Sequence, residues 1–274
     1  MKKSTRKLKA EQTIEIIEKG YYTMPLGEKI DLKEEINNCI DNTELYLSED
    51  LDYLKRNLKL ENNQNTVFEV THEDSVSAIH RINQEEEGKV MCLNFASAKN
   101  PGGGFLNGAL AQEESLAVSS ALYGSQMSAY DFYDTHRSMK SCIYTDAMIH
   151  SPNVPVFRDR RGELVADYSV CGFVTSAAVN YGVVKRKELH LVDKVNEIMN
   201  TRIEKLLSLC VEKKYNTLIL GAWGCGVFQN DPNDIAKLFK SHFENKFKNQ
   251  FKRVVFAIYS KNEKFIEAFR KEFD

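Results

Sequence analysis

No run of apolar residues in this 274-residue chain approaches the roughly eighteen needed to cross a bilayer, so no membrane-spanning helix is expected. Lys2, Lys3, Arg6, Lys7 and Lys9 crowd the amino end, but no apolar stretch follows them. A secretory signal needs that stretch, and residues 1–10 read instead as a solvated lead-in to a helix. The six cysteines, Cys39, Cys92, Cys142, Cys171, Cys210 and Cys225, include no C-x-x-C pair and fall mostly within apolar runs. That argues against a zinc site and a disulfide framework, leaving reduced thiols and an intracellular, cytoplasmic setting as the expectation. His72, His80, His136, His150, His190 and His242 show no paired metal spacing, so each is expected to be structural or exposed. A formal net charge of -2 gives no global basic field, which removes bulk binding to nucleic acid as an inference and leaves room only for a local basic groove. There is no internal repeat and no low-complexity segment.

What is present describes a folded α/β protein. With 42% apolar and 28% charged residues the composition is that of a globular domain. Over residues 10–60 the apolar positions follow helical spacing, with Ile14 and Ile17, then Leu32, Ile36 and Cys39, then Leu51, Leu54 and Leu58. After a polar turn at 61–65 the pattern changes. Strands are predicted at 66–70, 89–95, 147–150, 170–175, 217–220 and 254–259, and helices at 74–82, 112–123, 188–213, 233–247 and 263–273. Near-continuous apolar strands suit a sheet covered on both faces. The expected fold is a three-layer α/β/α domain over residues 66–274, preceded by a helical extension, residues 1–65, packed on it. Residues 148–168, with their prolines and charges, are expected to form an excursion with a short hairpin rather than a central strand.

The most informative stretch runs from Asn94 at a strand end, through Asn100 and the glycines Gly102, Gly103 and Gly104, to Gln112, Glu113 and Glu114 at the start of a helix. Adjacent glycines are costly in conformational entropy. They are tolerated where backbone must approach a ligand, and the N–H groups of such a loop can bind phosphate or ribose oxygens. Acidic residues are also simply favoured in a first helical turn. Consecutive helix positions point about 100° apart, so these two carboxylates cannot straddle one bond as an ordinary glycosidase pair does. One must do chemistry and the other positioning.

A second glycine loop, residues 221–230, follows the strand at 217–220, and ligands bind at such carboxyl ends of open α/β sheets. It does not have the G-x-G-x-x-G spacing, and the chain has neither G-x-x-x-x-G-K-[ST] nor G-x-S-x-G. A generic diphosphate-contact loop remains. Phe228 suits either stacking on a base or core packing, Trp223 suits packing, and Cys225 suits a small residue in a tight turn better than a nucleophile, since no base accompanies it.

These residues resemble the microbial-type poly(ADP-ribose) glycohydrolases, whose catalytic module is a macrodomain. The family motif is three glycines, six to eight residues, then Gln-Glu-Glu; here Gly102, Gly103 and Gly104, seven residues, then Gln112, Glu113 and Glu114 match it. The resemblance extends to the amino-terminal helix, to SPNVPVFRD, to GAWGCGVFQNDP and to VVFAIY. It implies a macrodomain with a mixed sheet and hydrolysis of ribose–ribose bonds in poly(ADP-ribose). Glu114 would protonate the leaving ribose oxygen and then deprotonate water, while Glu113 and Gln112 would hold ribose hydroxyls. Asn100 would orient the terminal ribose, with Asn94 also at the substrate. Gly224, Cys225, Gly226, Val227 and Phe228 would wrap the diphosphate, with Phe228 against the nucleotide. No metal or cofactor is implied, the partner is ADP-ribose or its polymer on modified proteins, and a monomer is expected. Two stretches depart from the family: residues 176–180 lack the expected proline, and the helix after Gln-Glu-Glu is rich in serine and alanine rather than arginine. The competing readings are a hydrolase of single ADP-ribose units on protein or nucleic acid, a non-catalytic ADP-ribose reader, and an unrelated nucleotide-phosphate binder.

Overall fold

A computed structural model describes residues 2–61, 63–85 and 88–274. Met1, and Asn62 within the turn expected at 61–65, lie outside the described residues. In chain order come α1 (Lys3–Lys19), β1 (Tyr21–Thr23), β2 (Lys29–Asp31), α2 (Lys33–Asp41), β3 (Glu44–Tyr46) and α3 (Ser48–Asn57). There follow β4 (Val67–Thr71), α4 (Ser75–Glu85), β5 (Val90–Phe95), α5 (Gln112–Ser119), α6 (Leu122–Ser128), α7 (Asp131–Ser138), β6 (Met148–Arg158) and β7 (Leu164–Ser176). The chain ends with α8 (Tyr181–Lys187), α9 (Val195–Glu212), β8 (Thr217–Leu220), α10 (Pro232–Glu244), β9 (Arg253–Ala257) and α11 (Lys264–Phe273).

The main sheet has seven strands in the order β3-β6-β7-β5-β8-β9-β4. β4, β9, β8, β5 and β7 run parallel to their neighbours, whereas β7–β6 and β6–β3 are antiparallel, so the sheet is mixed as expected. Alternation of side chains sends successive residues of β5 to opposite faces. Met91 and Leu93 join one apolar core with Leu207, Trp223, Phe239 and Phe256, and Val90 and Cys92 join another with Ile36, Ile79, Leu116 and Phe173. Helices therefore cover both faces, which is why the strands could be almost wholly apolar. No described helix is long and apolar enough to cross a membrane.

Several expectations are corrected. Residues 148–168 are not an excursion: they belong to a hairpin whose strands span 11 and 13 residues and lie within the sheet. The prolines fit because β6 pairs with β3 only through Met148, Ile149 and His150, so Pro155 lies beyond that partner, and Pro152 falls at the register shift between Ser151 and Val154. The helix expected at 112–123 breaks at Ser120, whose extended backbone (φ -147, ψ 174) bridges to Val156. The helix expected from 188 opens with a 3₁₀ segment, Leu189–Lys194, before α9. Residues 3–10 are helix rather than lead-in. The amino-terminal stretch also carries the β1–β2 hairpin and β3, which lies in the main sheet. Three-residue strands are too short to show a period-2 pattern.

Candidate active site

The first glycine loop leaves the carboxyl end of β5 and is fixed by Phe105, which is buried with Ala10 and Ala117 and whose ring centroid lies 4.9 Å from that of Tyr123. A 3₁₀ turn, Phe105–Asn107, follows the three glycines. Gly103 sits in the left-handed region (φ +61), and a Cβ there would stand 2.5 Å from Glu114 Oε1. Glycine is required at this position on both counts.

The start of α5 then aims its first three side chains differently. Gln112 turns to β5: its Oε1 accepts from Phe95 N–H at 2.9 Å, and its Nε2 donates to the Leu93 carbonyl at 2.8 Å and Ser75 Oγ at 3.1 Å. Its amide thus joins the helix start to the strand end. Glu113 points inward and is 3% exposed. Its Oε2 accepts from Ser97 N–H at 2.6 Å, and its Oε1 from Asn94 Nδ2 and Gln126 Nε2, both at 3.1 Å. Burial nevertheless outweighs those donors and, with the charge of Glu114 adding to it, pushes the Glu113 carboxyl up to about 8. Glu114 faces the cleft, where its Oε1 accepts from Gly104 N–H at 2.9 Å.

Asn94 is buried behind Glu113, with its Nδ2 also donating to Thr175 Oγ1 at 3.1 Å. Asn100 is exposed at the cleft, and its side chain makes no hydrogen bond among the described residues.

The second loop follows β8. Gly224 has φ +74, and a Cβ on it would stand 2.5 Å from both Ala178 Cβ and Asn230 Nδ2, so the loop is pressed against residues 176–180. Asn230 secures it by donating to the carbonyls of Val179 and Gly224 at 2.8 and 3.1 Å. The N–H groups of Gly226, Val227 and Phe228 find no acceptor among the described residues, while Val227 is 81% exposed. Successive unspent N–H groups form an anion-binding concavity. Phe228 is half-buried, with its ring 6.2 Å from that of Tyr144, and still lines the cleft. Trp223 is fully buried, in keeping with packing. Cys225 is buried as well, and burial drives its thiol far up the scale, which removes the thiolate a nucleophile would need.

Both loops open into one cleft of ≈ 1510 Å³. Of the residues named from the sequence, Asn100, Gly103, Gly104, Gln112, Glu113, Glu114, Gly224, Gly226, Val227 and Phe228 line it; Asn94, Gly102 and Cys225 stand behind that wall. The sequence did not single out Ser97, Gln126 or Thr175, which arrange Glu113 and Asn94, nor Asp74, Arg160, Arg161 and Tyr259, which form another part of the wall. Gln126 follows Glu113 on a separate helix, and no spacing rule connects the two. Among the described residues no group of His, Cys, Asp or Glu is placed to hold a metal ion.

The family described as microbial-type PARG, catalytic domain, matches residues 10–159. No curated protein sequence matches the chain. Among solved structures, poly(ADP-ribose) glycohydrolase (PARG) from Thermomonospora curvata is 37% identical with a TM-score of 0.94, covering 98% of this chain and 100% of that one. The same enzyme bound to the inhibitor ADP-HPD is similar at a TM-score of 0.92. The enzyme from Deinococcus radiodurans in complex with ADP-ribose is 36% identical with a TM-score of 0.83, covering 87% of this chain and 96% of that one. The chain belongs to the microbial-type PARG family.

Proposed function

We propose that this protein is a poly(ADP-ribose) glycohydrolase in which Glu114 is the general acid and base for cleavage of ribose–ribose O-glycosidic bonds, releasing ADP-ribose. The observation that carries the assignment of Glu114 is its position: a cleft-facing carboxylate held by Gly104 N–H beneath Gly103, in the same cleft as the N–H groups of Gly226, Val227 and Phe228. Those N–H groups take the diphosphate, and Gly224 supplies the turn that presents them. Phe228 lies against the nucleotide side, and Asn100, with its free amide, orients the terminal ribose. Glu113 holds the ribose hydroxyls. Gln112, Asn94 and Gln126 act through others, Gln112 by joining α5 to β5 and the two remaining amides by fixing Glu113.

Protonation of the departing ribose oxygen by Glu114 breaks the glycosidic C–O bond and leaves an oxocarbenium-like centre. The nearby diphosphate stabilises its positive charge. Water then adds to that carbon and gives its proton to the Glu114 carboxylate, which restores the acid. This chemistry is complete without metal or cofactor. Residues 1–65 pack on residues 66–274 and complete their sheet with β3, and the reading takes the protein as a cytoplasmic monomer acting on ADP-ribosylated proteins.

The deciding experiment measures free ADP-ribose released from poly(ADP-ribosyl)ated protein by the native chain and by Glu114→Gln. Release that drops about 100-fold to 10,000-fold in the variant, with ADP-ribose still bound, supports the assignment. Equal release by both proteins removes Glu114 from the mechanism, and binding of ADP-ribose with no release by the native chain favours a reader or a hydrolase of single units.

A further inference from the structure

The amino-terminal end of α1 lies across the catalytic loop. A Cβ on Gly108 would stand 2.6 Å from the Lys3 carbonyl oxygen and 3.1 Å from Cγ of both Lys3 and Lys7. Arg6 Nε donates to the Gly108 carbonyl at 2.8 Å. One turn further on, Lys9 Nζ donates to the Gly162 carbonyl at 2.6 Å at the tip of the β6–β7 hairpin. α1 thus joins the catalytic loop to that tip, and Arg6, Arg160 and Arg161 all line the cleft beneath the junction.

Lys3 and Lys7 do not line the cleft themselves but sit on the loop at Gly108, and the charge around that junction is not balanced. Lys9 pairs with Glu163 at 2.9 Å, and Arg160 lies 3.5 Å from Asp74. Lys3, Lys7 and Arg161 are exposed and have no carboxylate partner among the described residues. The first turn of α1 has no acidic residue, so cations are gathered at the positive end of a helix, against the preference of its dipole. A local rule broken at the mouth of a cleft marks charge kept for a ligand rather than for folding. The location is specific too. Gly104 supplies the donor to Glu114, and the same short segment reaches Gly108 against Lys3 and Lys7, so residues 104–108 link the basic cluster to Glu114. The diphosphate-binding N–H groups at Gly226, Val227 and Phe228 belong to a different wall.

Resting on the polymer-cleaving reading above, we propose that Lys3, Lys7 and Arg161, with Arg6 between them, form a subsite for the diphosphate of the ADP-ribose unit on the leaving side of the cleaved bond. Each such unit brings a doubly charged diphosphate, which a single ADP-ribose bound in the cleft cannot place there. The subsite selects polymer over a single modification.

Binding separates this proposal from the catalytic one. The chain carrying Glu114→Gln, which leaves the polymer intact, is titrated with fluorescent poly(ADP-ribose) and with ADP-ribose, before and after adding Lys3→Gln, Lys7→Gln and Arg161→Gln. Polymer affinity is expected to fall on the order of tenfold or more, and the slope of log affinity against log salt to flatten by about 0.7 for each lost phosphate contact, with ADP-ribose affinity unchanged. Unchanged polymer affinity and slope would overturn the subsite, as would an equal loss for ADP-ribose. Single-stranded DNA of matched charge bound as tightly, and lost on the same substitutions, would reassign the wall to nucleic acid. Failure of the native chain to release ADP-ribose would sink the hydrolase reading, while this comparison still decides the subsite.

Discussion

Gly103 and Glu114 compete for the same space. The glycine's missing Cβ would stand 2.5 Å from the glutamate's Oε1, so the left-handed loop backbone and the acid are in direct contact. Gly103→Ala must therefore move the carboxylate or distort the loop, at a backbone cost of roughly 1–2 kcal/mol. We expect a chain that still folds and releases ADP-ribose on the order of 100-fold more slowly, because a displacement near 1 Å is costly at a reacting centre. Steady-state release beside a thermal melt checks this, and native activity in a folded variant would contradict the contact.

Glu113 makes stability depend on pH in an unusual direction for a carboxylate. Burial raises it from 4.5 to about 8. Below the lower value the group is protonated in both folded and unfolded chains. Between the two, the unfolded chain releases a proton that the folded chain keeps, so stability falls as pH rises, and the penalty is complete above the upper value. Glu113→Gln removes the titration. The stability of the native chain minus that of the variant is expected to fall by on the order of a few kcal/mol from about pH 4 to about pH 9. Denaturant melts across that range measure it, and a constant difference would refute the raised value.

Gln126→Leu tests whether Glu113 is held from a neighbouring helix. The substitution removes one of two donors to Glu113 Oε1 without touching the cleft surface. Release is expected to fall about tenfold in kcat/KM, since one net hydrogen bond is at stake. The alkaline limb of the pH–rate profile should shift upward, because the carboxylate loses a donor that stabilised its charge. A fall in rate with no shift of the profile would reduce Gln126 to a packing residue.

Gly224→Ala addresses the proposed diphosphate loop. Its Cβ meets Ala178 Cβ and Asn230 Nδ2 at 2.5 Å, and the backbone there is left-handed. We expect ADP-ribose affinity, measured by calorimetry, to drop on the order of tenfold or more while Glu114 keeps its place. Unaltered affinity would show that the loop's N–H groups do not carry the diphosphate.

The contact between the glycine loop and the start of α5 was legible because it is local: Gly102 to Glu114 are close in the chain, and glycine adjacency announces close backbone approach. The parallel strands were legible for a similar reason, since Met91, Cys92 and Leu93 face both cores. Ser97 and Gln126 reach Glu113 from opposite sides along the chain, and only the fold brings them together, so its burial was invisible. The β6–β7 hairpin was misread because Pro152 and Pro155 look like strand breakers until the register shift and the shortness of β3 are known. Gln112 was expected at the ribose, yet its amide spends its hydrogen bonds on Phe95, Leu93 and Ser75.

The docking of α1 has a consequence for how the protein is assembled. Arg6 meets Gly108 across 102 residues of sequence, Thr13 meets Val118 across 105, and Lys9 meets Gly162 across 153. α1 must wait for the β6–β7 hairpin before it can seat fully, so loop-closure entropy sets its docking behind that hairpin. A nascent chain that has not yet reached the β6–β7 hairpin therefore has no complete α1 side to its cleft, and the wall carrying Gly226, Val227 and Phe228 is synthesised later still.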